Sequence, residues 1–504
     1  MLGSLISGSL IPPFRLVNQS AILSLICPPI NIPIKEPIMA EKKQSPVCQA
    51  WNPGSSDEAT YEHERVHRIF NAIKPKRYPR AIVKATRQSH VQGAVKLANE
   101  LGCRVSIRSG GHSWAAWSVR DDAILIDLKD FKEIEVDEGQ GIVKVSPSTT
   151  GSMLNNTLHP KGLMFGGGHC PDVGLGGFLL QGGMGWNCKN WGWACEQIVG
   201  LDVVTASGEI LHCSETENSD LLWCARGAGP GFPAIVTRFY LKTRKRPAVM
   251  YRSTFIYPIS RYKTVMDWIT RISPSSDPGN EIVAVGLTPK GMKELCIMVH
   301  IVTFQESESA ACEALRPLDE SHPNGALVEV LSQPTSLTEQ CLDQADANPA
   351  NHRYCVDNAY ISNNADVTGV LQKAYTTLPS EKSFALWFSM APGSRRSMPD
   401  MACSMQSDHY FAMYTVWEDV EDDIRCKEWL KDIMQSIVPW SKGAYLGDSD
   451  FQVRKAKFWT DEAANRLMSL RRTWDPKGIV CGYLDDGDVS GVKGLENQNW
   501  IRDY

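Results

Sequence analysis

The chain has 504 residues, of which 43% are hydrophobic and 22% charged, a globular composition too long for one hydrophobic core. No run approaches the ~20 uninterrupted apolar residues of a membrane span, and a formal net charge of -5 lacks the basic excess that binding a nucleic-acid backbone demands. The cysteines, 15 in all, are odd in number and show no paired metal spacing, so they read as small buried apolar residues rather than a complete disulfide framework.

Residues 1–38 are almost uncharged, rich in Ser, Leu, Ile and Pro, and broken by Pro12-Pro13 and Pro28-Pro29. They lack the basic start of a secretory signal. A short apolar stretch at 22–27 behind Arg15, a disordered leader and a start at Met39 are all open readings. His63-Glu64-Arg65-Val66-His67 matches the pattern of zinc proteases. No third ligand follows it and Glu62 and Arg68 flank it, so it reads as a solvent-facing helix without a metal.

From residue 81 the pattern becomes α/β. A strand at 81–85 precedes a helix that Ser89 is placed to cap, with Val91, Val95 and Ala98 on one face and Gly102 at its end. A strand at 103–107 runs into Arg108-Ser109-Gly110-Gly111-His112-Ser113-Trp114, and strands at 123–128 and 142–145 follow. The densest feature is Phe165-Gly-Gly-Gly-His169-Cys170-Pro-Asp-Val173-Gly-Leu-Gly-Gly177-Phe-Leu-Leu-Gln-Gly182-Gly183-Met-Gly185-Trp186, with nine glycines around one cysteine. Glycine at that density brings backbone close to a partner, and its cost in conformational entropy calls for a ligand. The Gly-x-Gly-x-x-Gly dinucleotide fingerprint fails here, because Leu179 occupies the last place after Gly174, and again after Gly227, where Phe232 does.

A hairpin is expected at 198–213, turning at Ala206-Ser-Gly-Glu209, and a second glycine cluster at 223–238. The basic run 242–246, closed by Pro247, reads as a solvated boundary. Residues 248–440 change character, with strands at 251–257, 282–287, 295–304, 385–390 and 410–417 among helical stretches, which implies an antiparallel sheet with helices on one face. Trp387, Tyr410, Tyr414 and Trp417 on those strands are candidate pocket walls. A helix at 423–438 precedes a closing segment with Tyr445-Leu-Gly-Asp448-Ser-Asp450 and Trp474-Asp-Pro-Lys-Gly478.

Four segments together carry a family resemblance: Arg108-Ser-Gly-Gly-His112-Ser, Gly168-His-Cys170-Pro-Asp-Val-Gly-Leu-Gly-Gly177, 223–238, and the closing stretch from Tyr445 to Pro476. The chain resembles the berberine-bridge-enzyme-like FAD-linked oxidoreductases of the vanillyl-alcohol-oxidase type, from about residue 73 to 484 and most strongly over 104–240. The resemblance implies an α+β fold: a two-part PCMH-type FAD-binding domain at 61–247, a substrate-binding domain at 248–440 and a closing segment at 441–504 that returns to the first domain. Residues 1–60 form an extension without a counterpart.

It also implies chemistry. His112 maps to the residue that joins the flavin 8α-methyl and Cys170 to the one that joins C6, giving a doubly attached FAD with a raised reduction potential. Arg108, Ser109, Gly110, Gly111, Ser113, Val173, Gly174, Gly176, Gly177, Gly182 and Gly183 map to its cradle. Tyr445 maps to a residue that takes a substrate proton, a role that needs a neighbour lowering its pKa, with Asp448 as an acidic companion. The family's Asn two places after this Tyr is Gly447 here. Val173 stands where valine is associated with oxidases and leucine with dehydrogenases.

The expected activity is oxidation of a small organic molecule, a secondary-metabolite intermediate, by proton abstraction and hydride transfer to flavin N5, with O2 reduced to H2O2. A flavin-containing cyclase or isomerase is the alternative, and a binding protein with an inherited flavin fold ranks behind both.

Overall fold

The computed structural model describes residues 47–50, 58–451, 453–454 and 456–482, all within one compact unit that begins at Pro46. The expectations for residues 1–46, including the leader and the start at Met39, and for 483–504 lie outside the described residues. Two of the apolar cores are built on sheets, one made by short strands and their helix, the other by a long antiparallel sheet under four helices.

Four strands form the first sheet in the order Val47–Ala50, Ala81–Lys84, Ile124–Asp127, Val105–Arg108, with the last three parallel. Helix Gln88–Leu101 packs on it through Val91, Val95 and Ala98, all fully buried. Gly102 ends that helix at φ 63°, a left-handed conformation that favours glycine. Ser89 does not cap it. The helix begins one residue earlier, where the Arg87 carbonyl accepts the His90 N–H and the Gln88 side chain reaches Thr237.

The helix Glu58–Val66, which carries His63 and ends one residue before His67, is half-buried rather than solvent-facing. Tyr61 donates to the Pro79 carbonyl at 2.6 Å, and Arg65 donates to the carbonyls of Pro75 and Arg77. A five-stranded antiparallel sheet follows, ordered Ile134–Asp137, Ile142–Val145, Ala234–Lys242, Ile198–Thr205, Ile210–Cys213. The basic run after it is not simply solvated: Arg244–Lys245 pairs with Leu163–Met164, and Arg244 stacks on Trp191 at 4.1 Å.

The largest sheet has eight antiparallel strands in the order Val328–Thr335, Val249–Pro258, Cys296–Gln305, Asn280–Leu287, Phe384–Ser389, His409–Trp417, Arg353–Ile361, Ser441–Gly443. Alternation along each strand separates its two faces. Phe255, Ile282, Val299, Trp387, Phe411, Met413 and Trp417 lie against helices Tyr262–Ile272, Glu308–Ser321, Val367–Thr376 and Asp423–Ile437. Arg252, Thr254, Glu281, Val283, His300, Leu386, Phe388, Tyr410 and Tyr414 lie on the other face, against a cavity. Trp387 and Trp417 are therefore core residues under the helices and not cavity walls, while Tyr410 and Tyr414 are walls.

The closing segment returns to the first sheet. Helix Asp461–Trp474 buries Ala463 and Leu467, Arg471 donates to the Gly231 carbonyl at 2.9 Å, and Val480 bridges Val105 in parallel.

Candidate active site

One cavity of about 1050 Å³ opens between the two glycine loops on one side and the eight-stranded sheet on the other. Its volume exceeds the usual range for a small-molecule pocket, leaving room for a dinucleotide beside a substrate.

The first loop leaves its strand at Arg108. That guanidinium does not point to a ligand: it is 1% exposed, and it pairs with Asp127 at 2.7 Å and donates to the carbonyls of Glu64 and Arg65. Asp127 faces Arg108 in the strand register and also binds Arg68, whose guanidinium in turn holds the Ser109 carbonyl. A buried ion cluster thus fixes the point from which Ser109, Gly110, Gly111, His112 and Ser113 run along the cavity wall.

The second loop packs directly on the first. A Cβ on Gly110 would stand 2.7 Å from the Gly174 nitrogen, one on Gly174 would stand 2.8 Å from the Gly110 nitrogen, and one on Gly176 would meet Ser109 Oγ at 2.7 Å. Those glycines are required by loop on loop. Gly177 is different, with nothing within 4 Å of its missing Cβ and an exposed place on the cavity wall. Gly182 and Gly183 do not line the cavity. Their positive φ values, 110° and 76°, turn the chain behind its wall against Trp193, Cys403 and Tyr445, and against Ala194 and Phe178.

His112 Nε2 lies 3.1 Å from Asp172 Oδ2, which ties the two loops together side chain to side chain, and Phe70 stacks on the imidazole at 4.9 Å. The hydrogen bond from His112 holds the Asp172 carboxyl below its usual range. Cys170 and Val173 line the same cavity. Burial, with Asp172 and Asp448 adding negative charge, pushes the Cys170 thiol up to about 12.

Across the cavity, Tyr445 is 5% exposed and its hydroxyl oxygen accepts the Met184 N–H at 3.0 Å. Burial and the Asp448 carboxylate push its phenol well above the ordinary value, opposite to what a base near neutrality needs. Gly447 explains itself in the same place: a Cβ there would stand 2.5 Å from Cε1, Cζ and Oη of Tyr445. No Asn fits beside this tyrosine, and a backbone N–H takes over the contact with its oxygen. Asp448 accepts from Tyr410 Oη at 2.6 Å, and also from Tyr414 and Trp114; burial raises its carboxyl nonetheless. It organises aromatic walls.

The segment from Tyr445 to Asp448 is held by a residue that sequence patterns passed over. Asn358 donates to the carbonyls of Tyr445 and Asp448 at 2.7 and 2.8 Å and accepts the Tyr445 N–H at 2.6 Å. Also missed were Glu281, Arg252, Thr254 and His300, polar residues on the cavity face of strands whose other face is apolar. Polar members at every second place within an apolar strand were the available signal.

The residues present fit a flavin nucleotide: an open glycine, a nucleophilic imidazole and a thiol share one cavity large enough for it. Residues 79–214 match a family described as an FAD binding domain. The chain is 41% identical over 430 residues to the FAD-linked oxidoreductase ptmO of Penicillium ochrochloron, covering 85% of this chain and 95% of the relative. It is 37% identical over 172 residues to the xylooligosaccharide oxidase of Thermothelomyces thermophilus, 34% of each chain. Its fold resembles that of Physcomitrella patens BBE-like 1, with a TM-score of 0.74 at 16% identity over 87% of this chain and 96% of that one. The chain therefore belongs to the FAD-linked oxidoreductases, as an FAD-dependent enzyme whose fold is that of the BBE-like structure.

Proposed function

We propose that this chain is an oxidase of a small organic molecule, a secondary-metabolite intermediate, with FAD bonded through both His112 and Cys170. The observation that carries the reading is that these two nucleophiles, on separate loops joined by the His112–Asp172 contact, open onto one cavity. When bound, FAD supplies the hydride acceptor and passes the electrons to O2, giving H2O2.

The chain's own residues do the rest. An Nε2–H donated to Asp172 leaves the lone pair of neutral His112 on Nδ1, the nitrogen free to form a bond. Ser109, Gly110, Gly111, Ser113, Gly174, Gly176 and Gly177 would hold the cofactor with backbone and small side chains. Val283, Val285, Met298, Leu386 and Phe384 give the substrate an apolar bed. Tyr445 keeps its phenol proton and donates it to a substrate oxygen, since its own oxygen is already an acceptor for Met184. Asp448 fixes Tyr410 and Tyr414 around that oxygen. Val173 leaves room for O2, and the xylooligosaccharide oxidase among the relatives supports the oxidase form.

Acid precipitation tests the attachment. The yellow colour is expected to stay with the pellet in wild type, His112→Ala and Cys170→Ala, and to leave it in the double variant. Colour lost from wild type would refute the covalent reading. The cyclase alternative separates by oxygen uptake per product formed, which is stoichiometric for an oxidase and absent for a redox-neutral ring closure.

A further inference from the structure

The flavin site leaves a histidine and a glutamate in the cavity wall without a role. His169 directly precedes Cys170, and its Nε2 lies 2.9 Å from Glu281 Oε1. Glu281 is 5% exposed, and its second oxygen accepts the backbone N–H of Asn187. Trp186 and Phe388 fix the imidazole plane, with ring centroids at 4.4 and 6.0 Å. A ring nitrogen facing a carboxylate carries the proton, so the lone pair of neutral His169 is on Nδ1. Among the described residues Nδ1 has no hydrogen-bond partner, and the side chain keeps 22% of its surface open. An oriented imidazole with a carboxylate behind it and a free nitrogen in front is the arrangement of a general base.

We propose that His169 takes the proton from the substrate, with Glu281 as its positioning residue, and that the substrate is therefore an alcohol or an amine. The inference rests on the flavin-oxidase reading. In the step, the substrate O–H or N–H bond breaks, the proton bonds to Nδ1, and the electron pair stays on the substrate heteroatom. The imidazolium charge is then shared with Glu281. Tyr445 is poorly placed for this work, because it would first have to become a phenolate beside Asp448.

The charged groups facing His169 are Glu281 on the sheet and Asp448 on the closing segment, with His300 on the neighbouring strand acting on Glu281. Burial opposes a charge on His169, but the Glu281 carboxylate, with Asp448, outweighs it and holds the imidazole above its usual value. The base form accordingly prevails only above a midpoint higher than that of a free histidine.

The test uses the holoenzyme and 4-nitrophenol, whose absorbance moves into the visible when it loses its proton. At a pH one unit below its own midpoint about a tenth of the free probe is ionised. Wild type is expected to raise the ionised fraction several-fold in a difference spectrum, and His169→Gln, which keeps a donor for Glu281, to abolish the rise. Glu281→Gln reduces it, and Tyr445→Phe, which removes only a hydrogen-bond donor to the substrate oxygen, weakens it without abolishing it. A rise that persists in His169→Gln, that disappears in Tyr445→Phe instead, or that wild type never shows overturns the assignment. The rate at which air reoxidises photoreduced flavin in the same samples reports on the oxidase reading separately, so the two can fail independently.

Discussion

Replacing Gly447 by Ala tests how tightly the closing segment is fitted to Tyr445. The new Cβ would stand 2.5 Å from three atoms of the phenol, where carbon contacts need about 3.5 Å, so the ring must retreat by about 1 Å. It has little room to do so: Trp193 lies at 5.4 Å and Tyr410 at 6.1 Å between centroids, and the Gly182 backbone is beside the ring. The retreat would stretch the 3.0 Å bond from Met184 past hydrogen-bonding range. Overpacking of this kind costs about 1–3 kcal/mol and the bond about 1 kcal/mol more, so the variant should lose about 2–4 kcal/mol. In a Tyr445→Ala background the same substitution should cost under ~0.5 kcal/mol, a coupling that a double-mutant cycle reads directly. Chemical denaturation followed by tryptophan fluorescence provides the assay. Equal costs in the two backgrounds would refute the steric account of Gly447.

Asp127→Ala leaves Arg108 and Arg68 without their buried carboxylate, and an unfolding measurement should show a loss of about 3–5 kcal/mol; a loss under ~1 kcal/mol would mean the cluster does not anchor the first loop. In apoprotein, the rate of Cys170 alkylation by iodoacetamide, followed by peptide mass, should rise about tenfold per pH unit between about pH 8 and 11. The sign follows from a thiol pushed up to about 12: its reactive thiolate grows throughout that range, whereas an unperturbed thiol would level off near pH 9. Val173→Leu should slow reoxidation by air of photoreduced flavin at least several-fold, and an unchanged rate would remove Val173 from oxygen control.

Much of the fold was legible because period and punctuation agreed. The strand expected at 142–145 and the hairpin strand at 198–205 appear with those bounds, and Gly102 ends its helix as its left-handed φ requires. The strand Arg353–Ile361 was not legible, because Asp357 and Asn358 interrupt its apolar run; both are buried, one paired with Arg454 and the other anchoring Tyr445. The edge strand Val328–Thr335 escaped for the opposite reason, being half solvated and polar, with Pro334 inside it. Motif reading brought His112 and Cys170 to one cavity but could not tell glycines that face a ligand from those that face another loop. Gly110, Gly174 and Gly176 pack one loop on the other, Gly182 and Gly183 turn the chain behind the wall, and only three-dimensional neighbours reveal it.

The most direct test of the account is a proteolytic digest of denatured holoenzyme, separated by flavin absorbance and identified by mass. A doubly attached FAD predicts one flavin-bearing species in which the peptide containing His112 and the peptide containing Cys170 are joined through a single cofactor. Flavin on only one of the two peptides, or flavin released free, would contradict it.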